Sequence, residues 1–142
     1  GSVEEALYNI KKALSLNPDD LEYLYIQTGI FTKTRLYAEA DLGYQKLIEL
    51  GCDAPAIWIE YAALVFTQNE YTDAINLLKQ GLIANKDHID LLLNLVAYSY
   101  YSKELVAART YLDKALTLET ESLEKLYKLF PDLRDNNDFK LI

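Results

Sequence analysis

The sequence predicts an all-α protein built as an array of antiparallel helix pairs. Apolar residues recur at helical spacing along nearly the whole chain, and alanine returns to one position four times at a constant interval. Only 5 Gly and 3 Pro are available, too few to turn the many short strands of a β fold. The 142 residues are 51% hydrophobic and 25% charged, a globular balance with room for one domain or a short repeat array.

The first element is SVEEALYNIKKALSLNPDD. Ala6, Ile10 and Ala13 lie on one face of a helix that Asn17-Pro18-Asp19 stops. Three later segments align beneath it. Ala6, Ala40, Ala74 and Ala108 form one column, and Ile10, Tyr44, Leu78 and Leu112 form a second. Ala13, Leu47, Gly81 and Ala115 form a third at the same interval. Between these helices lie LEYLYIQTGIFTK, PAIWIEYAALVFTQ and DLLLNLVAYSYYS. Their large residues align at Leu24, Trp58 and Leu92, then at Gln27, Tyr61 and Leu95, with Thr28, Ala62 and Val96 following. Small residues at one position let the second helix of a pair approach the first, while Trp, Tyr and Leu fill the space between pairs. A single pair cannot bury its stripe, so neighbouring pairs must stack.

The 34-residue step, the Trp-x-x-large-small segment around Trp58, Tyr61 and Ala62, and the Tyr-x-x-Ala onset at Tyr37 and Tyr71 together resemble the tetratricopeptide repeat. The resemblance covers roughly residues 3 to 122, and PAIWIEYAALVFTQNEYTDAINLLKQGLIANKDH is the best copy. The usual closing proline stands only at Pro18, with Cys52, Lys86 and Thr120 at the later equivalents. The resemblance implies a right-handed superhelical α-α solenoid. It divides the chain into a half-repeat at 3–20, full repeats at 21–54, 55–88 and 89–122, and a closing helix with its tail at 123–142.

Residues 1–2, Gly-Ser, with no Met anywhere in the chain, have the form of a cloning scar. The first helix is then the second half of a repeat whose first helix lies outside the sequence, and its apolar face would favour self-association; a native N-terminal cap is the alternative. At the other end, Leu123, Leu126, Tyr127, Leu129 and Phe130 make a stripe that Pro131 stops, and Phe139, Leu141 and Ile142 are expected to fold back onto it. A calcium loop around Asp132, Asp135 and Asp138 is the weaker reading, because the glycine and distal glutamate of that pattern are missing.

Little in the chain suits catalysis. The one histidine, His88, sits at a helix start beside Asp87 and Asp90, where a solvated helix-end role is the simpler expectation. Cys52 is followed by Asp53, whose charge opposes a reactive thiolate. There is no glycine-rich phosphate loop. No enzyme, metal or cofactor is expected.

The net charge of −8 disfavours nucleic acid, because an acidic surface repels phosphates. No apolar run approaches the roughly 20 residues of a membrane span, so no membrane insertion is expected; no signal-peptide pattern is present, but in an excised piece such a signal would lie outside the sequence, so the compartment is left open with the cytoplasm only as a default.

The resemblance also implies a concave groove lined by the first helix of each pair. Its expected lining is Tyr25, Ile59, Glu60, Phe66, Asp90, Leu93, Asn94, Ala97, Tyr100 and Tyr101. Such a lining is apolar and aromatic with acidic accents. It implies a scaffold for a protein or peptide partner that is itself apolar with some Lys or Arg. A basic carboxylate clamp is not expected, since Asn94 is the one matching residue type. Two alternatives stand beside this reading: a spacer or self-association segment of a longer array, and a role for most of the 12 Tyr in the core.

Overall fold

The computed structural model describes residues 2–135. The expected packing of Phe139, Leu141 and Ile142, together with Gly1 and Asp138, lies outside the described residues. Eight α-helices follow in order: α1 (Ser2–Leu16), α2 (Leu21–Lys33), α3 (Tyr37–Glu49), α4 (Pro55–Thr67), α5 (Tyr71–Ala84), α6 (Ile89–Tyr101), α7 (Leu105–Leu118) and α8 (Ser122–Leu129). A short 3-10 turn, Pro131–Leu133, comes after α8, and no strand occurs among the described residues.

The helices group into two compact units, one up to Asp53 and one from Ala54 onward. In the first, α1 packs on α2 and α2 on α3. In the second, α4 pairs with α5, α6 with α7, and α8 packs against both α6 and α7.

Most of the sequence columns are buried; Ala6 and Ala13 on α1 and Gln27 on α2 are only half buried. Ala40, Ala74 and Ala108 are fully enclosed, as are Tyr44, Leu78 and Leu112, and then Leu47 and Ala115. On the first helices of the pairs, Leu24, Trp58 and Leu92 are buried, as are Thr28, Ala62 and Val96. The column extends one step further than the sequence alignment carried it. Leu126, one full repeat beyond Leu92, is completely buried on α8. Helix α8 thus enters the register of a first helix in a fourth copy. Leu129, expected on its buried stripe, is half exposed, because the face that meets α6 and α7 centres on Leu126.

Each tight turn inside a pair is made the same way. Arg35, Asn69 and Lys103, equivalent positions in successive copies, hold the left-handed conformation with φ of 63°, 66° and 63°. The residue after each donates its N–H back across the turn, Leu36 to Phe31 O (2.8 Å), Glu70 to Val65 O (3.2 Å) and Glu104 to Ser99 O (2.8 Å). These bonds satisfy carbonyls that a helix end leaves open, and they let the next helix start after a very short turn.

The turns between pairs are less uniform. Asp20 caps α2 by accepting the Tyr23 N–H at 3.1 Å. Gly51, at φ 90°, precedes the half-buried Cys52, whose N–H donates to Leu47 O at 2.9 Å. Pro55 opens α4, where a missing N–H costs nothing.

His88 is the residue before α6 and its carbonyl accepts the Leu92 N–H at 3.1 Å. It is half buried rather than fully solvated, and its Nδ1 is enclosed without a hydrogen-bond partner. The left-handed turn at Asp87, φ 60°, sets the chain there, and Lys114 lies 3.2 Å from the Asp87 carboxylate.

Candidate functional site

In the second unit, α6 packs against α4 on one side and α8 on the other, so three helices running the same way share a face. The expected site residues fall on it unevenly. Ile59 and Glu60 on α4 are half buried, as are Phe66, Tyr100 and Tyr101 near the C-terminal ends of their helices. Asp90, in the first turn of α6, is exposed. Leu93, Asn94 and Ala97 lie between these ends and are buried, Leu93 and Ala97 completely. They therefore present no open wall to a ligand as the chain stands, and the Asn94 side chain is spent on the Asp90 carbonyl at 2.8 Å. Tyr25 stands on α2 in the first unit, 39% exposed.

The C-terminal ends of α4, α6 and α8 carry a connected set of rings. Phe66 stacks on Tyr98 with centroids 4.2 Å apart and planes 10° apart, and it also meets Tyr71 and Tyr101 at 4.7 and 5.7 Å. Phe130, just after α8, sits edge-on to Tyr98 at 6.0 Å and to Tyr101 at 6.3 Å. Tyr100 continues the set, edge-on to Tyr101 at 6.0 Å. Edge and offset geometries of this kind are the attractive ones for ring quadrupoles. The Tyr101 hydroxyl donates to both carboxylate oxygens of Asp132, at 2.8 and 3.0 Å, tying the turn after α8 to the end of α6. Beside this set opens a pocket lined by Tyr100, Tyr101, Lys103 and Leu105, of which Leu105 is half exposed. Phe130, Lys103 and Leu105 were not expected at the site, since they precede or follow the helix stripes from which it was read.

Burial pushes the Tyr98 phenol up to about 12. Tyr101 is pushed up as well, first by burial and then by its hydrogen bond to Asp132 and that carboxylate's charge. A raised phenol favours the folded state fully below the unfolded value of 10.0, and the contribution is lost between pH 10 and about 12. Stability should therefore fall across that window, with Tyr98→Phe showing a shallower fall; tyrosinate absorbance and thermal unfolding measured together check it.

The opposite end of the face is charged. Lys125 is held protonated by its 2.6 Å contact with Glu119, and Asp90 and Glu121 add to the negative field around it. The shared face is thus aromatic at one end and predominantly acidic at the other. Among the described residues no group of His, Cys, Asp and Glu could hold a metal ion, and no helix is long and apolar enough to cross a membrane.

The chain matches no family model. One curated protein, the Protein RRP5 homolog of Mus musculus, is 22% identical over 119 residues, which cover 82% of this chain and 6% of that protein. The chain thus spans a small fraction of that relative. Solved structures are similar over more of their length. MamA, 18% identical, has a TM-score of 0.72 over 89% of this chain and 77% of its own. A MamA fragment from Desulfovibrio magneticus RS-1, 21% identical, gives 0.70 over 85% and 68%. YrrB, a TPR protein with an unusual peptide-binding site, is 15% identical and gives 0.68 over 92% and 79%. The buried repeat columns and this likeness agree: the chain has the all-α tetratricopeptide-repeat fold.

Proposed function

We propose that this chain is a non-enzymatic protein-interaction scaffold that anchors an extended peptide at the two ends of the face shared by α4, α6 and α8, the buried middle of that face contributing no wall of its own. The observation that carries the reading is the polarity of that face, with Tyr100, Tyr101 and Leu105 around a pocket at one end and, at the other, Asp90 and Glu121 near the Lys125–Glu119 ion pair, which leaves a net negative charge. The peptide-binding site of YrrB, on the same fold, supports it. Tyrosine suits such a role, because a large rigid ring with a polar tip contacts a partner at low entropic cost.

The geometry sets the ligand's chemistry. Helix α6 has 13 residues, a length of roughly 20 Å at about 1.5 Å per residue. An extended peptide covers that in roughly six residues at about 3.4 Å each. The fitting partner places an aliphatic or aromatic side chain in the tyrosine pocket and a Lys or Arg about six positions away, near Asp90.

Selection of a displayed random-peptide library on the whole chain tests this. Enriched peptides should show that spacing and bind with Kd on the order of 10 μM. Tyr100→Ala should remove the apolar anchor from the selected sequences, and Asp90→Lys the basic one. Sequences indifferent to both substitutions would place the binding surface elsewhere and favour a spacer or self-association role.

A further inference from the structure

We propose that the first unit carries a separate binding site, a pocket between α2 and α3 that takes the phenol ring of a tyrosine side chain from a partner protein. The cavity measures about 260 Å³ and is walled by Leu24, Gln27 and Phe31 on α2 and by Leu42 and Gly43 on α3. An apolar cavity of roughly 150 Å³ is enough for a benzene ring. The space therefore accepts a phenol together with the methylene that links it to a backbone.

The repeat columns identify the occupant. Gln27 stands where the later copies have Tyr61 and Leu95, and Gly43 where they have Leu77 and Tyr111. Each later copy thus places one tyrosine and one leucine on this pair of positions, in opposite order, and Tyr61 and Leu95 are buried. The first copy has neither. Helix α3 cannot fill the space itself, because a Cβ on Gly43 would collide with the Thr28 hydroxyl. A ring supplied from outside the chain can.

The walls select a neutral ring that carries a hydroxyl. Phe31, where the later copies have Val65 and Ser99, offers an aromatic surface to pack on. The Gln27 amide can both donate to and accept from a phenol hydroxyl. At the rim, Lys46 is already matched by Asp19 at 3.5 Å, and Glu39 adds a negative charge. A carboxylate or phosphate is disfavoured there by like-charge repulsion. Leu42, 64% exposed, leaves the mouth open for the partner's backbone to pass.

Amide chemical shifts of the whole chain, followed during titration with p-cresol, N-acetyl-tyrosinamide and toluene, decide it. Both phenols should shift the amides of Gln27, Leu42 and Gly43 with Kd on the order of 1 mM. Toluene, which lacks the hydroxyl, should bind at least ~threefold more weakly. Gln27→Tyr, which supplies the ring that the second copy has at Tyr61, should weaken p-cresol at least ~tenfold and raise the unfolding midpoint. In Gln27→Leu, p-cresol should bind no better than toluene. Shifts confined to other helices, or p-cresol affinity unaltered in Gln27→Tyr, overturn the proposal. Binding of p-cresol without N-acetyl-tyrosinamide also overturns it, since the pocket then takes a small free phenol and not a partner's side chain. The site lies wholly in the first unit, so it and the peptide reading can each fail alone.

Discussion

Leu126→Ala is expected to destabilise the second unit by about 3 kcal/mol, the middle of the range for truncating a buried leucine. Leu126 has no solvent exposure and lies where α8 meets α6 and α7. The loss includes the transfer of the side chain and the void that a short terminal helix only partly closes. It is bounded above by the free energy with which α8 docks, because a helix at the end of the chain can detach while the rest stays folded. Leu129→Ala, on the next turn of the helix and 48% exposed, should stay within about 0.5 kcal/mol. Chemical denaturation of both variants, with amide exchange along α8, measures the difference. Equal effects would mean that α8 lies on the surface and takes no part in the core.

Gly81→Ala is expected to cost about 1–2 kcal/mol even though alanine is the better helix former. A methyl on Gly81 would lie 2.7 Å from Cβ and Cγ of Trp58. Those atoms sit at the root of the indole, so relief requires moving α4 or α5, and overpacking of this kind costs about 1–3 kcal/mol. The gain in helix propensity returns at most about 1 kcal/mol. The third copy holds Leu92 and Ala115 at the matching positions. The double variant Trp58→Leu/Gly81→Ala should therefore be more stable than the sum of its parts predicts, by about 1–2 kcal/mol. Strict additivity in that cycle would mean that the two residues do not share the space.

The fold was legible because its signal is periodic. Ala40, Ala74 and Ala108 declare the helix crossing three times over, and each is fully buried. Leu126 was expected on the stripe of the closing helix, but its place in the repeat column was not read, because the copy it opens soon stops being repetitive, at Pro131. The left-handed turns were invisible for a different reason. Arg35, Asn69 and Lys103 share a backbone conformation but no residue type, and only Asn favours that region. The site was the least legible part. Leucine and alanine serve equally as groove wall or as core, so Leu93 and Ala97 could be assigned only once their burial was known. The aromatic end combines rings from three separate copies, with Phe66, Tyr98 and Phe130 occupying unmatched columns. No single repeat carries that arrangement.

The Trp58–Gly81 match also bears on how the chain finds its structure. A sequence with near-copies of the same helix can dock the wrong two together, a recurrent failure of repeat proteins. Here the copies are marked by size. If α4 closed on α7, Trp58 would face the methyl of Ala115; if α6 closed on α5, Leu92 would leave the space above Gly81 unfilled. One mispairing is too tight and the other too loose, so both are short-lived compared with the native pairs. The bulkiest residue and the smallest act together as a key that sorts otherwise similar helices during assembly.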